Sequence, residues 1–98
     1  MDLSRFPADY KNDIEAANTY LKGEGCSSVY IFGSLVTGKF HDRSDIDIGI
    51  SGLPPEKFFK VYSRLDGILK KKIDLVDFDE QKEFYDLLCK LGEVVEVG

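Results

Sequence analysis

The stretch Asp45-Ile46-Asp47-Ile48-Gly49-Ile50 places an isoleucine at every second position, and that period constrains the chain more than any other feature. Strand side chains point alternately to opposite faces, whereas a helix would scatter the three isoleucines around its axis. Ile46, Ile48 and Ile50 therefore share one apolar face, and Asp45 and Asp47 stand together on the other. Residues two apart on a strand are roughly 6.6 Å apart along it, so both carboxylates reach one cation-sized space. Two such anions repel each other unless protonation, a basic partner or a metal compensates. Oxygen donors of this kind suit Mg²⁺, which binds one or two protein carboxylates and completes its shell with water and substrate phosphate.

Upstream, the apolar run Val29-Tyr30-Ile31-Phe32 reads as a strand that ends at Gly33, and Ser34 opens a short helix over Leu35 to Thr37, stopped by Gly38. A glycine lets phosphate approach the backbone, and a serine hydroxyl with the first free N–H groups of a helix makes an anion site. A phosphate cradle and a pair of metal-binding acids on adjacent strand ends are what phosphoryl or nucleotidyl transfer needs, because its catalysis is mostly positioning and charge neutralisation.

Phe32-Gly33-Ser34, a ten-residue spacer, Ser44-Asp45-Ile46-Asp47 and then Lys72-Ile73-Asp74-Leu75-Val76-Asp77 resemble the polymerase-beta-type nucleotidyltransferase superfamily. The small size resembles the minimal nucleotidyltransferases within it, a family often paired with HEPN-domain proteins as toxin–antitoxin modules. The resemblance implies a nucleotidyltransferase fold and an Mg²⁺-dependent enzyme, with Asp45, Asp47 and Asp74 as catalytic and metal-binding carboxylates. It implies two Mg²⁺ ions, Gly33 and Ser34 as nucleotide-binding residues, and ATP or another nucleoside triphosphate as donor. It further implies a HEPN-domain partner whose tyrosine accepts AMP. The pattern departs in one place: Leu35-Val36-Thr37 offers no basic residue after Gly-Ser until Lys39.

Length and charge bound these readings. At 98 residues the chain is expected to form a single domain, 1–98, with too little material for a substantial second-substrate domain. The net charge of −5 disfavours long nucleic acids, which call for a basic face. Lys70-Lys71-Lys72 is the one basic run, read as lysines closing a helix at its negative C-terminal end. Cys26 and Cys89 have no metal-ligand spacing, and no stretch approaches the roughly 20 apolar residues of a membrane span. A cytoplasmic protein is expected, without membrane association. Its oligomeric state stays open.

Along the chain, Phe6, Tyr10, Ile14, Ala17 and Leu21 form a helical stripe that starts near Pro7 and stops by Gly23 or Gly25. Strand 28–32, the Gly-Ser turn, a loop from Lys39 to Ser44 and the isoleucine strand follow. Ser51-Gly52-Leu53-Pro54-Pro55 breaks the sheet before a helix with Phe58, Val61, Tyr62, Leu65, Ile68 and Leu69 on one side. A third strand runs from Lys72 to Phe78, a last helix from about Glu80 carries Phe84, Leu87, Leu88 and Leu91, and Glu93 to Val97 makes a terminal edge strand. The order α-β-α-β-α-β-α-β predicts a small α/β (α+β) domain, a mixed sheet with helices packed on one face and the acids on the part left open.

Plainer roles compete for each residue. Asp45-x-Asp47 alone is what a half-exposed strand often shows, and Asp74 alone could be an edge residue. The combination, with an acid set inside the apolar run Ile73 to Val76, argues for a cation or a hydrogen-bond donor, because burying an unpaired charge is costly. The carboxylate nearest the acceptor would also serve as base. Ser34 could simply cap a helix, a role compatible with phosphate binding. His41, Lys39 and Arg43 are read as solvated loop residues and left out of the site. Gly33 to Lys39 matches the phosphate-binding P-loop pattern up to Phe40, which replaces the Mg²⁺-binding hydroxyl, and no substantial helix follows. A non-catalytic antitoxin that neutralises a partner by occlusion is the alternative function, and apolar surface left unfilled at the last helix and terminal strand would favour it.

Overall fold

The computed structural model describes residues 3–39 and 44–98. The elements are α1 (Ala8–Gly23), β1 (Ser28–Phe32), α2 (Ser34–Thr37), β2 (Ile46–Ser51), a 3-10 turn at Pro55–Lys57, α3 (Phe58–Ile68), β3 (Ile73–Asp77), α4 (Lys82–Leu91) and β4 (Val94–Glu96). The expected order holds throughout. The parts of the Lys39 to Ser44 loop that carry Phe40, His41 and Arg43 lie outside the described residues.

The described residues form one four-stranded sheet in the order β3-β2-β1-β4. β1 pairs antiparallel with β2 and with β4, whereas β2 and β3 run parallel. Parallel neighbours need a long crossover, and α3 supplies it. The sheet is therefore mixed, as the alternation of elements predicts.

Ile46, Ile48 and Ile50 are each 0% exposed, so the face proposed from the period of two is the core face. Val29 and Ile31 of β1 and Ile73 and Leu75 of β3 join them, covered by Tyr10, Ile14, Ala17 and Leu21 of α1 and Val61 and Leu65 of α3. Pro7 precedes the first turn of α1, where a missing N–H costs nothing. Ile68 was expected in this core and is turned outward instead. The helix ends at Ile68, and the extended backbone of the next residue, Leu69, carries its own side chain inward.

On the opposite face a smaller cluster gathers Phe32, Phe78 and Leu88, with Tyr30, Val76, Tyr85 and Val94 packed against it. Gly49 makes room for this cluster, because a Cβ there would overlap the ring of Phe78. α4 thus covers part of the second sheet face through Tyr85 and Leu88. Its remaining apolar residues, Leu87 and Leu91, stay exposed, and Phe84 sits at the rim against the rings of Phe32 and Phe78. Among the described residues no helix is long and apolar enough to cross a membrane.

The lysine run does not close α3. That helix ends at Ile68, and Lys70 to Lys72 form the turn that leads into β3. The turn is held from α1: the buried Asp13 carboxylate accepts the backbone N–H groups of Lys70 at 3.0 Å and of Lys71 at 2.8 Å. Removing the acceptor leaves two N–H groups without their partner. Asp13→Ala should therefore cost about 2–3 kcal/mol, read as a lower urea midpoint with an unchanged slope.

Candidate active site

The two strand periods and the register of the sheet decide which acids meet. With isoleucines filling the core side of β2, Asp47 falls on the opposite face, where it lies between Phe32 of β1 and Asp74 of β3. Neighbouring strands are about 4.8 Å apart, so Asp47 and Asp74 are direct cross-strand neighbours. Asp45 sits immediately before β2, two residues from Asp47. The three acids proposed from the sequence thus occupy one end of the sheet, at the starts of β2 and β3.

Their environments differ. Asp45 and Asp74 are exposed, and Asp47 is intermediate. The expectation that Asp74 would be a charge set inside an apolar strand is not met, because β3 turns this residue to the open face. The burial falls on Asp47, whose pKa is raised from 3.8 to about 6, first by desolvation, then by the Asp74 charge and then by that of Asp45. The repulsion expected between paired acids is concentrated on the central one.

Gly33 adjoins the same carboxylate. Its φ of 76° lies where L side chains are strained, and a Cβ there would overlap Oδ2 of Asp47. The Gly33 carbonyl accepts the N–H groups of Val36 and Thr37, which turns the chain from β1 into α2. Ser34 is the first residue of that helix and Gly33 its N-cap, so the capping role weighed for Ser34 is not the one it has. α2 spans only four residues and stops at the left-handed Gly38, which disposes of the P-loop match.

Two features escaped the sequence reading. Arg5, from the segment before α1, donates a 3.3 Å hydrogen bond to the Val36 carbonyl, so a guanidinium reaches α2 from outside the motif. A cleft of about 350 Å³ lined by Ser44, Asp45, Lys70, Lys71 and Lys72 opens beside the acids. Nothing in the spacing of 45 and 70 signals that contact, which depends on the β2–β3 pairing.

Among the described residues no three His, Cys, Asp or Glu side chains are drawn together as a ready metal cage. The donor chemistry nevertheless fits a hard cation. The carboxylates are neighbours, two exposed and the central one half-buried, and that one resists ionisation through its burial and then the adjacent negative charges.

The polymerase beta nucleotidyltransferase family model matches residues 15–95 of this chain. The chain belongs to that family. Among solved structures, a toxin-antitoxin with AMP-PNP is similar at 27% identity and a TM-score of 0.56, over 74% of this chain and 59% of the other. A mutant of the toxin-antitoxin MntA-HpeT, with two aspartates two positions apart replaced by glutamate, is similar at 25% identity and a TM-score of 0.55, over 69% and 58%. A Tyr-to-Ala mutant of MntA-HpeT shares the fold at 23% identity and a TM-score of 0.63, over 87% and 71%. This chain spans about three fifths of the first two. A comparison with curated proteins returned no match.

The raised Asp47 pKa has a definite sign for stability. The folded state favours the neutral carboxyl, so the contribution is complete below about pH 4 and is lost as pH rises through about 6. With solvent screening at a half-exposed group, the loss is about 1 kcal/mol. Metal-free protein should melt at lower temperature at pH 7 than at pH 5. Asp47→Asn should raise the pH 7 melting temperature and flatten the profile.

Proposed function

We propose that this protein is a metal-dependent nucleotidyltransferase that moves a nucleoside monophosphate, AMP from ATP, onto a hydroxyl of a partner protein. The observation that carries this is the meeting of Asp45, Asp47 and Asp74 at one sheet end with Gly33 against Asp47. A solved neighbour containing AMP-PNP supports the donor. The toxin-antitoxin neighbours support a partner, which we read as a HEPN-domain toxin. The paired aspartates substituted in one neighbour have the spacing of Asp45 and Asp47. The free cysteines, one buried and one exposed, accord with a cytoplasmic setting.

In this reading Asp45, Asp47 and Asp74 would hold two Mg²⁺ ions, with Asp74 on the side nearest the acceptor. The cations supply charge neutralisation to the phosphates and the leaving group. Gly33 and Ser34 position the triphosphate, the glycine allowing close backbone approach. The acceptor oxygen bonds to the α-phosphorus, the bond to the bridging oxygen breaks, and pyrophosphate leaves. The hydroxyl proton passes to a carboxylate, a role this reading gives to Asp74.

A second reading is favoured by one observation. α4 leaves Phe84 37%, Leu87 52% and Leu91 58% exposed, the unfilled apolar surface expected of an antitoxin acting by occlusion. The two readings separate by experiment. Titration calorimetry should show ATP binding that requires Mg²⁺ and is lost in Asp47→Asn. With α-labelled ATP, Asp74→Asn should lower label transfer to the partner by about 100-fold or more. Neutralisation of the partner that survives Asp45→Asn with Asp47→Asn would sink the catalytic account and leave occlusion.

A further inference from the structure

The lysine turn is fixed, cationic and adjacent to the acids. Its backbone is held by Asp13 through the N–H groups of Lys70 and Lys71, and the Lys72 carbonyl accepts the N–H of Ile46 at 2.9 Å. Across the cleft, the Ser44 carbonyl accepts the hydroxyl of Tyr10 at 2.9 Å, so α1 anchors both walls. Lys71 is committed: its Nζ lies 3.0 Å from Oδ2 of Asp9 and 4.6 Å from the centroid of the Tyr10 ring. Lys70 and Lys72 are exposed and form no ion pair among the described residues. Both line the cleft, as does Asp45. Among the described residues lining it, lysines outnumber acids, in a chain whose net charge is −5.

The position of this cleft across the sheet gives it a role. From β3 to β1 the order is the lysine turn with Asp74, then Asp45 and Asp47, then Gly33 and Ser34. The β2 acids stand in the middle. In an in-line displacement the entering and leaving oxygens lie on opposite sides of phosphorus. If the triphosphate tail occupies the Gly33 flank, the acceptor enters from the lysine flank. We infer that the cleft of Lys70 and Lys72 is a second anion site, which takes a phosphate group carried by the acceptor close to its reacting hydroxyl. The inference rests on the nucleotidyltransferase reading for the side from which the acceptor enters, and on the lysines alone for the anion.

The test is a set of NMR titrations with inorganic phosphate and with AMP. They use wild type and the double variant Lys70→Glu with Lys72→Glu, in the presence of Mg²⁺ and saturating non-hydrolysable ATP analogue. Affinity for the analogue is measured separately on each protein. Shifts should centre on the amides of residues 44 and 70–72, and charge reversal should weaken both probes about tenfold or more with analogue binding within about twofold. AMP binding tighter than phosphate would identify a nucleotide as the phosphate's source, and equal binding would identify the phosphate group alone. Phosphate and AMP binding unchanged by the reversal would overturn the anion site. Analogue binding that weakens in parallel would overturn its acceptor placement, because the lysines would then serve the donor. If wild type binds no analogue while phosphate binding still depends on the lysines, the nucleotidyltransferase reading fails and the anion site stands. Both side chains are exposed, and the milder Lys70→Ala with Lys72→Ala should give a smaller loss in the same order, which separates charge from misfolding.

Discussion

The parallel pairing of β2 with β3 is the constraint on which the site depends. Its register sets Asp47 beside Asp74, and the same ladder, extended by the hydrogen bond from Ile46 to the Lys72 carbonyl, brings the lysine turn alongside Asp45. A one-residue slip would turn Asp74 into the core and Ile73 out of it. The three buried isoleucines of β2 prevent the equivalent slip on their side, because each is completely enclosed. Core packing and active-site geometry are thus fixed by one alternation.

That arrangement stores a cost where a catalyst can use it. Asp47 is held between a second carboxylate and a backbone that approaches closely because Gly33 has no side chain, and its ionisation is disfavoured as a result. Functional sites commonly carry such unfavourable local terms, offset by the rest of the fold. Here the offset lies on the opposite face of the same strand, where α1 and α3 bury its isoleucines. A cation would relieve the repulsion without moving the backbone.

Much of this was legible in the sequence, for identifiable reasons. A period of two in β2 and intervals of three and four in α1 report local geometry, and local geometry survived into the fold. The pairing of Gly33 with Asp47 was legible only as a motif. The steric reason, a close approach between β1 and β2, requires the antiparallel register. What the sequence misplaced depends on where elements meet. Ile68 was assigned inward by periodicity, but α3 ends there and Leu69 takes the core position. Asp74 was given a burial that belongs to Asp47, because strand alternation reveals the face but not that β3 is an edge strand and β2 an inner one.

The two flanks proposed to hold anions are not equivalent, and the difference bears on selectivity. At Gly33 the attraction comes from backbone and a hydroxyl, which suits close approach by a chain of phosphates. At Lys70 and Lys72 it comes from flexible, hydrated point charges on an anchored turn, which tolerate variation in the shape of what they hold. In the proposed reading the donor belongs to the rigid flank and the acceptor to the adaptable one. The exposed apolar face of α4 stands on the side of the sheet that carries the acids.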